Sequence, residues 1–297
     1  MNTTELETLI RSILTEQLQS HDDQPALACG CTSDGVALFD TVDAAVKAAH
    51  AAFKRFQEAP LKTRSSIVAA IRAGLADCLP ELSEAAALET GMGNAADKIL
   101  KNRAALENTP GIEDLVTTAL TGDEGMVLFE YSPYGVIGSV APSTNPTETI
   151  INNSISMLAA GNAIYFSPHP GAKQVSLNLI ARMEAIVFKA CGIHNLIVTV
   201  REPSFEATQQ MMAHPRIAVL AITGGPGIVA MGMKSGKKVI GAGAGIPMAI
   251  LMPMTHVPQR TALSHPGPRR RRRAVDLGRP RPRHLDAGLG ADRRHCR

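Results

Sequence analysis

The sequence lacks a long apolar run, a secretory signal and a paired pattern of cysteines. No apolar run in the 297 residues approaches the roughly 20 residues that a transmembrane helix needs. The N-terminus carries acidic residues and has no apolar core of the kind found in secretory signals. The five cysteines show no pairing pattern, which is typical of a reducing cytosol. We therefore expect a soluble cytoplasmic protein, and its hydrophobic content of 45% is enough to fill a core.

Charge is distributed unevenly along the chain. Residues 260–297 hold 12 of the 30 Lys and Arg but 3 of the 27 Asp and Glu, so residues 1–259 carry a net charge of −6. A basic tail on an acidic body is typical of a nucleic-acid-binding arm. However, residues 246–297 have no aromatic residue for base stacking and no helix or strand period. We interpret this tail as disordered and as the product of a shifted reading frame, with nucleic-acid binding as the alternative.

The most informative stretch is 136–149, where an apolar run ends in a polar turn. Val136–Ala141 is typical of a short buried strand. The positions of Asn145, Pro146 and Glu148 fit the N-cap, first and third positions of a following helix. From the residues alone, we expect the Asn145 oxygen to cap this helix and Glu148 to reach back to the cap. The start of a helix after a strand is where α/β proteins place anionic ligands.

Strands and helices alternate downstream of this stretch. The predicted strands are 136–141, 163–166, 196–200, 217–222 and a strand starting at 238–240, and the predicted helices are 147–160, 173–191, 204–213 and 228–234. Upstream, residues 40–119 are predicted to be mostly helical, and 126–131 to form a strand. Repeated β-α units with short loops predict an α/β fold with a parallel sheet covered on both faces.

A glycine-rich turn at 223–227 follows one of these strands. Gly225, Gly227 and Ala230 fit the pattern G-x-G-x-x-A between a strand and a helix, which is the context of a dinucleotide site. The acidic residue expected about twenty positions later, which would hold a ribose hydroxyl, is missing. The spacing alone leaves a dinucleotide site and a structural turn equally open.

None of the five cysteines is predicted to be a nucleophile. Cys29 and Cys31 lack further ligands for a zinc site and are interpreted as linker thiols. Cys78 lies on an apolar stripe and is expected to pack inertly. Cys191 falls at a helix C-terminus, where the dipole raises the pKa of a thiol. Cys296 lies near the chain end with no predicted element around it, so we assign it no role.

The sequence resembles the CoA-acylating aldehyde dehydrogenases, in particular the propionaldehyde dehydrogenases of propanediol-utilisation microcompartments. The resemblance is carried by residues 136–149, by Ile-Asn-Asn-Ser-Ile at 151–155 and by Ala-Gly-Asn at 160–162. The resemblance runs from Met1 to about residue 245. It implies that residues 40–245 form the N-terminal, NAD-binding portion of an aldehyde-dehydrogenase fold, a Rossmann-type domain with flanking helices. It also implies NAD-dependent oxidation of propionaldehyde to propionyl-CoA, with coenzyme A as co-substrate. Acetaldehyde is the alternative substrate.

The resemblance implies roles for individual residues. It assigns Asn145 as an oxyanion donor and places the adenosine half of NAD near Ser167 and His169. The other residues that it assigns to the cofactor are Ser143, Thr144, Thr223, Gly224, Gly225 and Gly243. The nucleophilic cysteine of the family belongs to a catalytic domain beyond residue 245, where this sequence has no matching pattern. We therefore expect a truncated, frameshifted and inactive chain.

Residues 1–18 predict a short amphipathic helix, followed by a polar linker over 19–39. The helix could dock on its own domain, or bind a separate protein by helix-in-groove packing. The resemblance favours the second alternative, because the segment is similar to the peptides that attach cargo enzymes to microcompartment shell proteins. It implies a location in the microcompartment lumen of the bacterial cytoplasm and a homo-oligomer joined by a hairpin. An inactive cargo or interaction module is the alternative function.

Overall fold

A computed structural model describes residues 37–243 of the chain. The predicted helix 1–18, nearly all of the linker 19–39 and the tail 246–297 lie outside the described residues. So do Cys29, Cys31 and Cys296, and the predictions about these segments stay predictions.

The first half of the described part is mostly helical, as predicted. A short strand β1 (Leu38–Phe39) precedes helices α1 (Val42–Phe56), α2 (Leu61–Ala76), α3 (Leu79–Thr90) and α4 (Ala95–Asn108). Thr41 and Asn94 cap α1 and α4 with their side-chain oxygens, and Gly91 ends α3 in the left-handed conformation. The first residues of these two helices are determined locally, because each capping side chain accepts a hydrogen bond from the backbone N–H three residues later.

A two-stranded antiparallel hairpin separates the helices from the main sheet. Its strands are β2 (Thr118–Gly122) and β3 (Gly125–Phe129). Every residue of both strands is exposed, including Leu120, Val127 and Phe129. The prediction of a strand at 126–131 is confirmed apart from its end, and the upstream strand β2 was not predicted.

The main sheet is six-stranded and parallel, which confirms the predicted fold class. Besides β1, it contains β4 (Val136–Ala141), β5 (Ala163–Pro168), β6 (Ile197–Val200), β7 (Ile217–Thr223) and β8 (Lys238–Ala242). The strand order is β1-β6-β5-β4-β7-β8. Strand β4 therefore pairs with β5 on one side and with β7 on the other.

The connecting helices are α5 (Pro146–Ala159), α6 (Lys173–Cys191), α7 (Phe205–Ala213) and α8 (Pro226–Met233). Their ends lie within two residues of the predicted ones. Gly192 ends α6 in the left-handed conformation, as expected for a glycine in that place. The alternation of apolar and polar segments therefore predicted these elements well.

All six residues of β4 are buried, and successive side chains face opposite sides of the sheet. On one side Ser139 accepts a hydrogen bond from the Asn153 amide of α5, with a donor–acceptor distance of 2.9 Å. On the other side Gly138 leaves room for Met211 of α7. A Cβ at position 138 would lie 2.2 Å from the Met211 sulfur and 3.0 Å from a Leu220 methyl group. The helix α7 therefore packs directly on the backbone of β4.

The substitution Gly138→Ala is expected to lower the free energy of unfolding by about 1–3 kcal/mol, since Met211 must move to admit a methyl group. Urea denaturation followed by circular dichroism measures the change. Gly122→Ala is the matched control, because no atom lies within 4 Å of a Cβ built there. Equal stability of the two variants would contradict this packing.

A buried carboxylate fixes the turn between α6 and β6. Glu184 accepts hydrogen bonds from the backbone N–H groups of Asn195 and Ile197, at 2.5 and 3.3 Å. The side chain of Glu184 is 1% exposed, and the imidazole Nδ1 of His194 lies 3.5 Å from its Oε1. Burial raises the pKa of Glu184 to about 7, and the two backbone donors oppose this shift.

Stability is therefore expected to fall between about pH 4.5 and 7. In this range the folded protein holds the Glu184 proton and the unfolded chain does not, so raising the pH favours unfolding by on the order of 3 kcal/mol in total. Thermal denaturation of the Glu184→Gln variant across this range should show a flatter dependence on pH. The exposed substitution Glu107→Gln is the control, and the interpretation fails if both variants keep the slope of the parent chain.

Candidate functional site

The candidate site is the crevice at the carboxyl ends of β4 and β7. From β4 the chain builds β5 and β6 on one side, then returns to place β7 and β8 on the other. The loops that leave β4 and β7 therefore diverge, and a crevice opens between them. In open α/β sheets, ligands bind at such a point of reversed strand order. The loop 142–145 and the turn 224–225 border this crevice.

Asn145 is the N-cap residue of α5 by position, and Pro146 opens the helix, as predicted. The Asn145 side chain does not cap the helix, so that expectation is wrong. Its amide oxygen instead lies 3.5 Å from the Lys101 ammonium. Its amide nitrogen has no hydrogen-bond partner within residues 37–243. The role of Asn145 as an oxyanion donor stays a prediction, and the geometry leaves the required N–H group free.

Two lysines of α4 reach this loop, three residues apart on one face of the helix. The Lys98 ammonium donates to the Thr144 carbonyl at 3.3 Å, and its side chain is only 2% exposed. Lys101 is more exposed and contacts Asn145. Sequence reasoning missed both lysines, since they precede the loop by more than forty residues. They place two ammonium groups beside the loop.

The expected capping box at the start of α5 is also absent. Glu148 Oε2 accepts from the hydroxyl of Thr147 at 3.2 Å instead of reaching back to Asn145. Its Oε1 is buried and has no partner among the described residues. Glu148 is 9% exposed. A buried acceptor without a donor is costly, so this oxygen is a candidate to bind a donor from outside residues 37–243.

The glycine-rich turn between β7 and α8 is open to solvent. Thr223 ends the strand, and the Gly224 N–H donates to the Ala242 carbonyl at 3.1 Å. Gly225 is the exposed N-cap residue of α8, and no atom lies within 4 Å of a Cβ built at this position. The free N–H groups at the start of α8 can therefore receive an anion.

Close packing of α8 on β7 depends on Gly232, which sequence reasoning did not single out. A Cβ at this position would lie 2.0 Å from the Ile222 side chain. Ala230, the last residue of the pattern G-x-G-x-x-A, is exposed. Gly243, another predicted cofactor residue, follows β8 and has open space around it.

Ser167 and His169, which were predicted to lie near the adenosine half of NAD, are found at the end of β5 and directly after it. Ser167 is 4% exposed, and its hydroxyl lies 2.7 Å from that of Thr208. Because Thr208 donates to the Ser204 carbonyl, Ser167 donates to Thr208 and keeps only acceptor capacity. His169 is exposed, and its Nδ1 accepts from the Gly171 N–H at 3.0 Å. The structure thus presents His169 to solvent and buries Ser167.

The two cysteines within residues 37–243, Cys78 and Cys191, are both half-buried and reduced. The pKa of Cys191 is raised, as predicted, but burial is the main cause and the nearby Glu184 adds to it. Cys191 ends α6, and a helix that follows a parallel strand runs back to the amino edge of the sheet. Neither thiol is therefore placed or activated as a nucleophile at the crevice.

Other site classes find less support in this part of the chain. No group of His, Cys, Asp and Glu suited to a metal ion occurs among the described residues. None of the helices within residues 37–243 is long and apolar enough to cross a membrane. A cavity of about 180 Å³ at the end of β6 is lined by Asp40, Glu202 and Glu206, among others, and its carboxylates would repel phosphates. The crevice with its two lysines is the better anion site.

Comparison with known proteins gives a consistent result. Residues 36–244 match the aldehyde dehydrogenase family. The chain is 70% identical over 251 residues to a propanal dehydrogenase (CoA-propanoylating) of Salmonella typhimurium, covering 84% of this chain and 53% of that protein. The chain thus spans about half the length of the curated relatives that it matches.

Solved structures have the same fold over the matching part. A propionaldehyde dehydrogenase of Rhodopseudomonas palustris with bound CoA and an acylated cysteine is 52% identical, with a TM-score of 0.70, over 71% of this chain and 49% of that one. An engineered glycolyl-CoA reductase with bound NADP+ is 50% identical, with a TM-score of 0.70, over 73% and 49%. A propionaldehyde dehydrogenase from a Clostridium phytofermentans microcompartment is 43% identical, with a TM-score of 0.69, over 71% and 48%.

The substitution Lys98→Met is expected to loosen the loop at the crevice. Methionine retains the aliphatic packing but removes the charged donor to Thr144, a loss that is expected to raise amide exchange about tenfold at Thr149, whose N–H donates to the Asn145 carbonyl. Hydrogen–deuterium exchange measured by mass spectrometry tests this. Lys101→Met is the matched control, because its contact is long and exposed, and its exchange should stay within twofold. Equal exchange in the two variants would show that Lys98 does not hold the loop.

Proposed function

This chain belongs to the aldehyde dehydrogenase family, and on that premise we propose that residues 37–243 bind the nicotinamide dinucleotide of a CoA-acylating propionaldehyde dehydrogenase. The overall reaction converts propionaldehyde, coenzyme A and NAD+ into propionyl-CoA, NADH and a proton. The 70% identity to a CoA-propanoylating propanal dehydrogenase supports this substrate and acceptor.

The observation that carries the proposal is the charge of the crevice. Two helix N-termini, those of α5 and α8, border it, and the partial positive charge of each favours an anion. Lys98 and Lys101 add two ammonium groups beside the loop. The open turn at Gly225 lets a pyrophosphate approach the backbone closely. The bound cofactor would supply the hydride acceptor.

Asn145 is proposed to stabilise negative charge on the aldehyde oxygen. Its amide N–H has no partner within residues 37–243, and its amide oxygen lies 3.5 Å from the Lys101 ammonium. An amide whose oxygen accepts from a cation is oriented with its N–H group away from that cation. A donor oriented before the reaction needs no reorganisation when charge develops, which makes it effective in catalysis. The nucleophilic cysteine that the family uses is not among the described residues.

We infer that the exposed hairpin β2–β3 joins subunits. An isolated two-stranded hairpin is marginally stable in water. Leu120, Met126, Val127, Leu128 and Phe129 are each more than half exposed, so both faces of the hairpin present large apolar side chains to solvent. Surfaces of this kind are typical of protein interfaces. A second copy of the chain is the proposed partner, which agrees with the homo-oligomer expected from the resemblance.

A microcompartment location is also proposed. The structurally similar protein of Clostridium phytofermentans comes from a fucose-utilisation microcompartment. The amphipathic pattern of residues 1–18 would allow helix-in-groove binding to a shell protein. Propanediol utilisation is the proposed pathway, because propionaldehyde is the proposed substrate.

The substitution Gly225→Asp tests dinucleotide binding without removing a packing contact. Aspartate is a favourable N-cap residue and has open space here, so thermal stability should be unchanged or higher. Its carboxylate would occupy the pyrophosphate site, so affinity for NADH should fall at least tenfold. Titration of the purified 297-residue chain with NADH, followed by fluorescence, measures this.

Thr41→Asp is the control for this test. It makes the same kind of N-cap change on α1, beside β1, which lies three strands away from β4. Affinity for NADH should remain unchanged. If the parent chain does not bind NADH, or if Gly225→Asp binds as tightly as the parent, the proposed dinucleotide site is wrong.

A further inference from the structure

The amino edge of the main sheet, opposite the crevice, carries an excess of positive charge. All six strands are parallel and start at this edge, and the helices that follow them end there. Lysines and arginines occupy the last turns of these helices and the starts of the next strands. We call them the amino-edge cations, and they are Lys54, Arg55, Lys189, Arg216, Lys234 and Lys237.

Carboxylates do not balance this charge. Within residues 37–243, none of the amino-edge cations forms an ion pair. Lys237 donates instead to the carbonyls of His214 and Ile217, at 2.8 and 2.9 Å. The negative ends of helices α1, α6, α7 and α8 offset about two of these charges, because each is equivalent to roughly half an elementary charge. Glu58, which is exposed, and the buried Glu184 offset at most two more, so about two positive charges remain.

The fold brings cations from different elements close to one another. Partial burial lowers the pKa of His50 in α1, and the charges of Arg216 and Lys54 lower it further. Burial raises the pKa of Cys191 at the end of α6, and the positive charge of Arg55 opposes that shift. Arg216 therefore lies near α1, and Arg55 lies near the end of α6. The end of α1 thus connects the cations before β7 with those of α6.

Residues 1–36 join the sheet at this same edge. Ala37 accepts a hydrogen bond from the Thr199 N–H at 2.9 Å, and β1 runs parallel to β6. The chain therefore enters β1 from the amino edge. The turn that leads into β6 contains Ile193, whose carbonyl oxygen lies 3.9 Å from the Cys191 sulfur. Strand β1 thus starts next to a strand that begins close to Cys191 and Arg55.

The charge of residues 1–36 is opposite to that of the edge. Their side chains include a single cation, Arg11, and a net charge of −5 results from Glu5, Glu7, Glu16, Asp22, Asp23 and Asp34. Their length is sufficient as well, since the chain from Asp23 to Ala37 can span up to about 45 Å. The four strand spacings from β1 to β7 cover only about 19 Å. Carboxylates of this segment can therefore reach the amino-edge cations.

We propose that residues 1–36 dock on the amino-edge cations of their own chain through these carboxylates. Single exposed ion pairs are weak, but a tethered segment is present at an effective concentration of about millimolar, so several weak pairs are sufficient. Docking keeps the amphipathic segment 1–18 beside residues 37–243, and a partner protein that binds this segment competes with the docked state. The surface lies at the edge opposite the crevice, so the proposal does not depend on the dinucleotide site.

Carbodiimide cross-linking of the purified 297-residue chain tests the docking, because this reagent joins a carboxylate to an ammonium only where the two are in contact. Peptide mass spectrometry should show cross-links from Asp22 and Asp23 to Lys54 and Lys189. Their yield should exceed that of cross-links to Lys101, which is exposed beside the crevice, at least about fivefold. Raising sodium chloride from about 0.01 M to about 1 M should abolish this difference, since the Debye length falls from about 30 to about 3 Å.

An exchange of charges separates docking from misfolding. The double variant Lys54→Glu/Arg55→Glu should lower the yield of cross-links to Lys189 at least about threefold, because two cations of the surface become anions. Adding Asp22→Lys and Asp23→Lys to this variant should bring cross-links between positions 22–23 and 54–55 back to the yield of the parent chain. A misfolded protein cannot produce this recovery.

The double variant Lys101→Glu/Arg103→Glu is the matched control. Both residues are exposed on α4, the helix that contacts the loop at the carboxyl ends of the strands. The same reversal of two charges there should leave the cross-links from Asp22 to Lys54 within about twofold of the parent chain.

A mixture of isotope-labelled and unlabelled chains identifies the occupant of the surface. Docking within one chain gives cross-linked peptides in which both halves carry the same label. Peptides that combine the two labels would make a second copy the occupant and overturn the proposal. Equal yields for Lys54 and Lys101, yields that salt does not change, or a charge exchange without recovery would also overturn it. None of these outcomes bears on NADH binding, so the proposed dinucleotide site is tested separately.

Discussion

The pairing of β4 on both of its edges is the constraint on which the rest of the structure depends. The register of a strand paired on both sides is strongly fixed here, because a shift by one residue would move Gly138 away from Met211 and Ser139 away from Asn153. Its position between β5 and β7 forces the two outgoing loops apart and opens the crevice. Gly138 allows α7 to pack on the strand backbone, so the contact between this helix and β4 depends on close approach at this residue.

The polar groups of the crevice are held by contacts that cross the fold. Lys98 donates to the Thr144 carbonyl, and the Lys101 ammonium lies 3.5 Å from the amide oxygen of Asn145. These contacts take the place that a capping box would have within α5. As a consequence, the N–H groups at the start of the helix and the amide N–H of Asn145 remain available for a ligand. Local capping would have stabilised the helix and closed the site.

Charge differs along the carboxyl edge of the sheet. Its centre, at β4 and β7, combines helix N-termini with lysines, whereas the end at β1 and β6 carries carboxylates. The β5 loop lies between the two, and at the start of the helix that follows it the Glu89 carboxylate accepts hydrogen bonds from the Gln174 and Val175 N–H groups. This gradient favours an anionic ligand over the centre of the edge. Electrostatics as well as shape therefore decides which ligand this edge of the sheet favours.

Much of the fold could be predicted from the order of residues. The helices and strands downstream of residue 135 lie within two residues of their predicted ends, and Asn145, Pro146 and Gly192 occupy the predicted helix positions. These features depend on periodicity and on contacts within about four residues, so local chemistry decides them. The hairpin strand β2 was missed, because it has no buried face to impose a pattern.

The sequence by itself thus determined the α/β class and most of the element boundaries, and it predicted a candidate site at the strand ends. The partners of the site residues were decided only by the tertiary structure. Lys101 meets Asn145 across 44 residues, and Met211 meets Gly138 across 73, because the strand order brings their elements together. Contacts between distant residues depend on which strands become neighbours, and that choice is made by packing of the whole sheet.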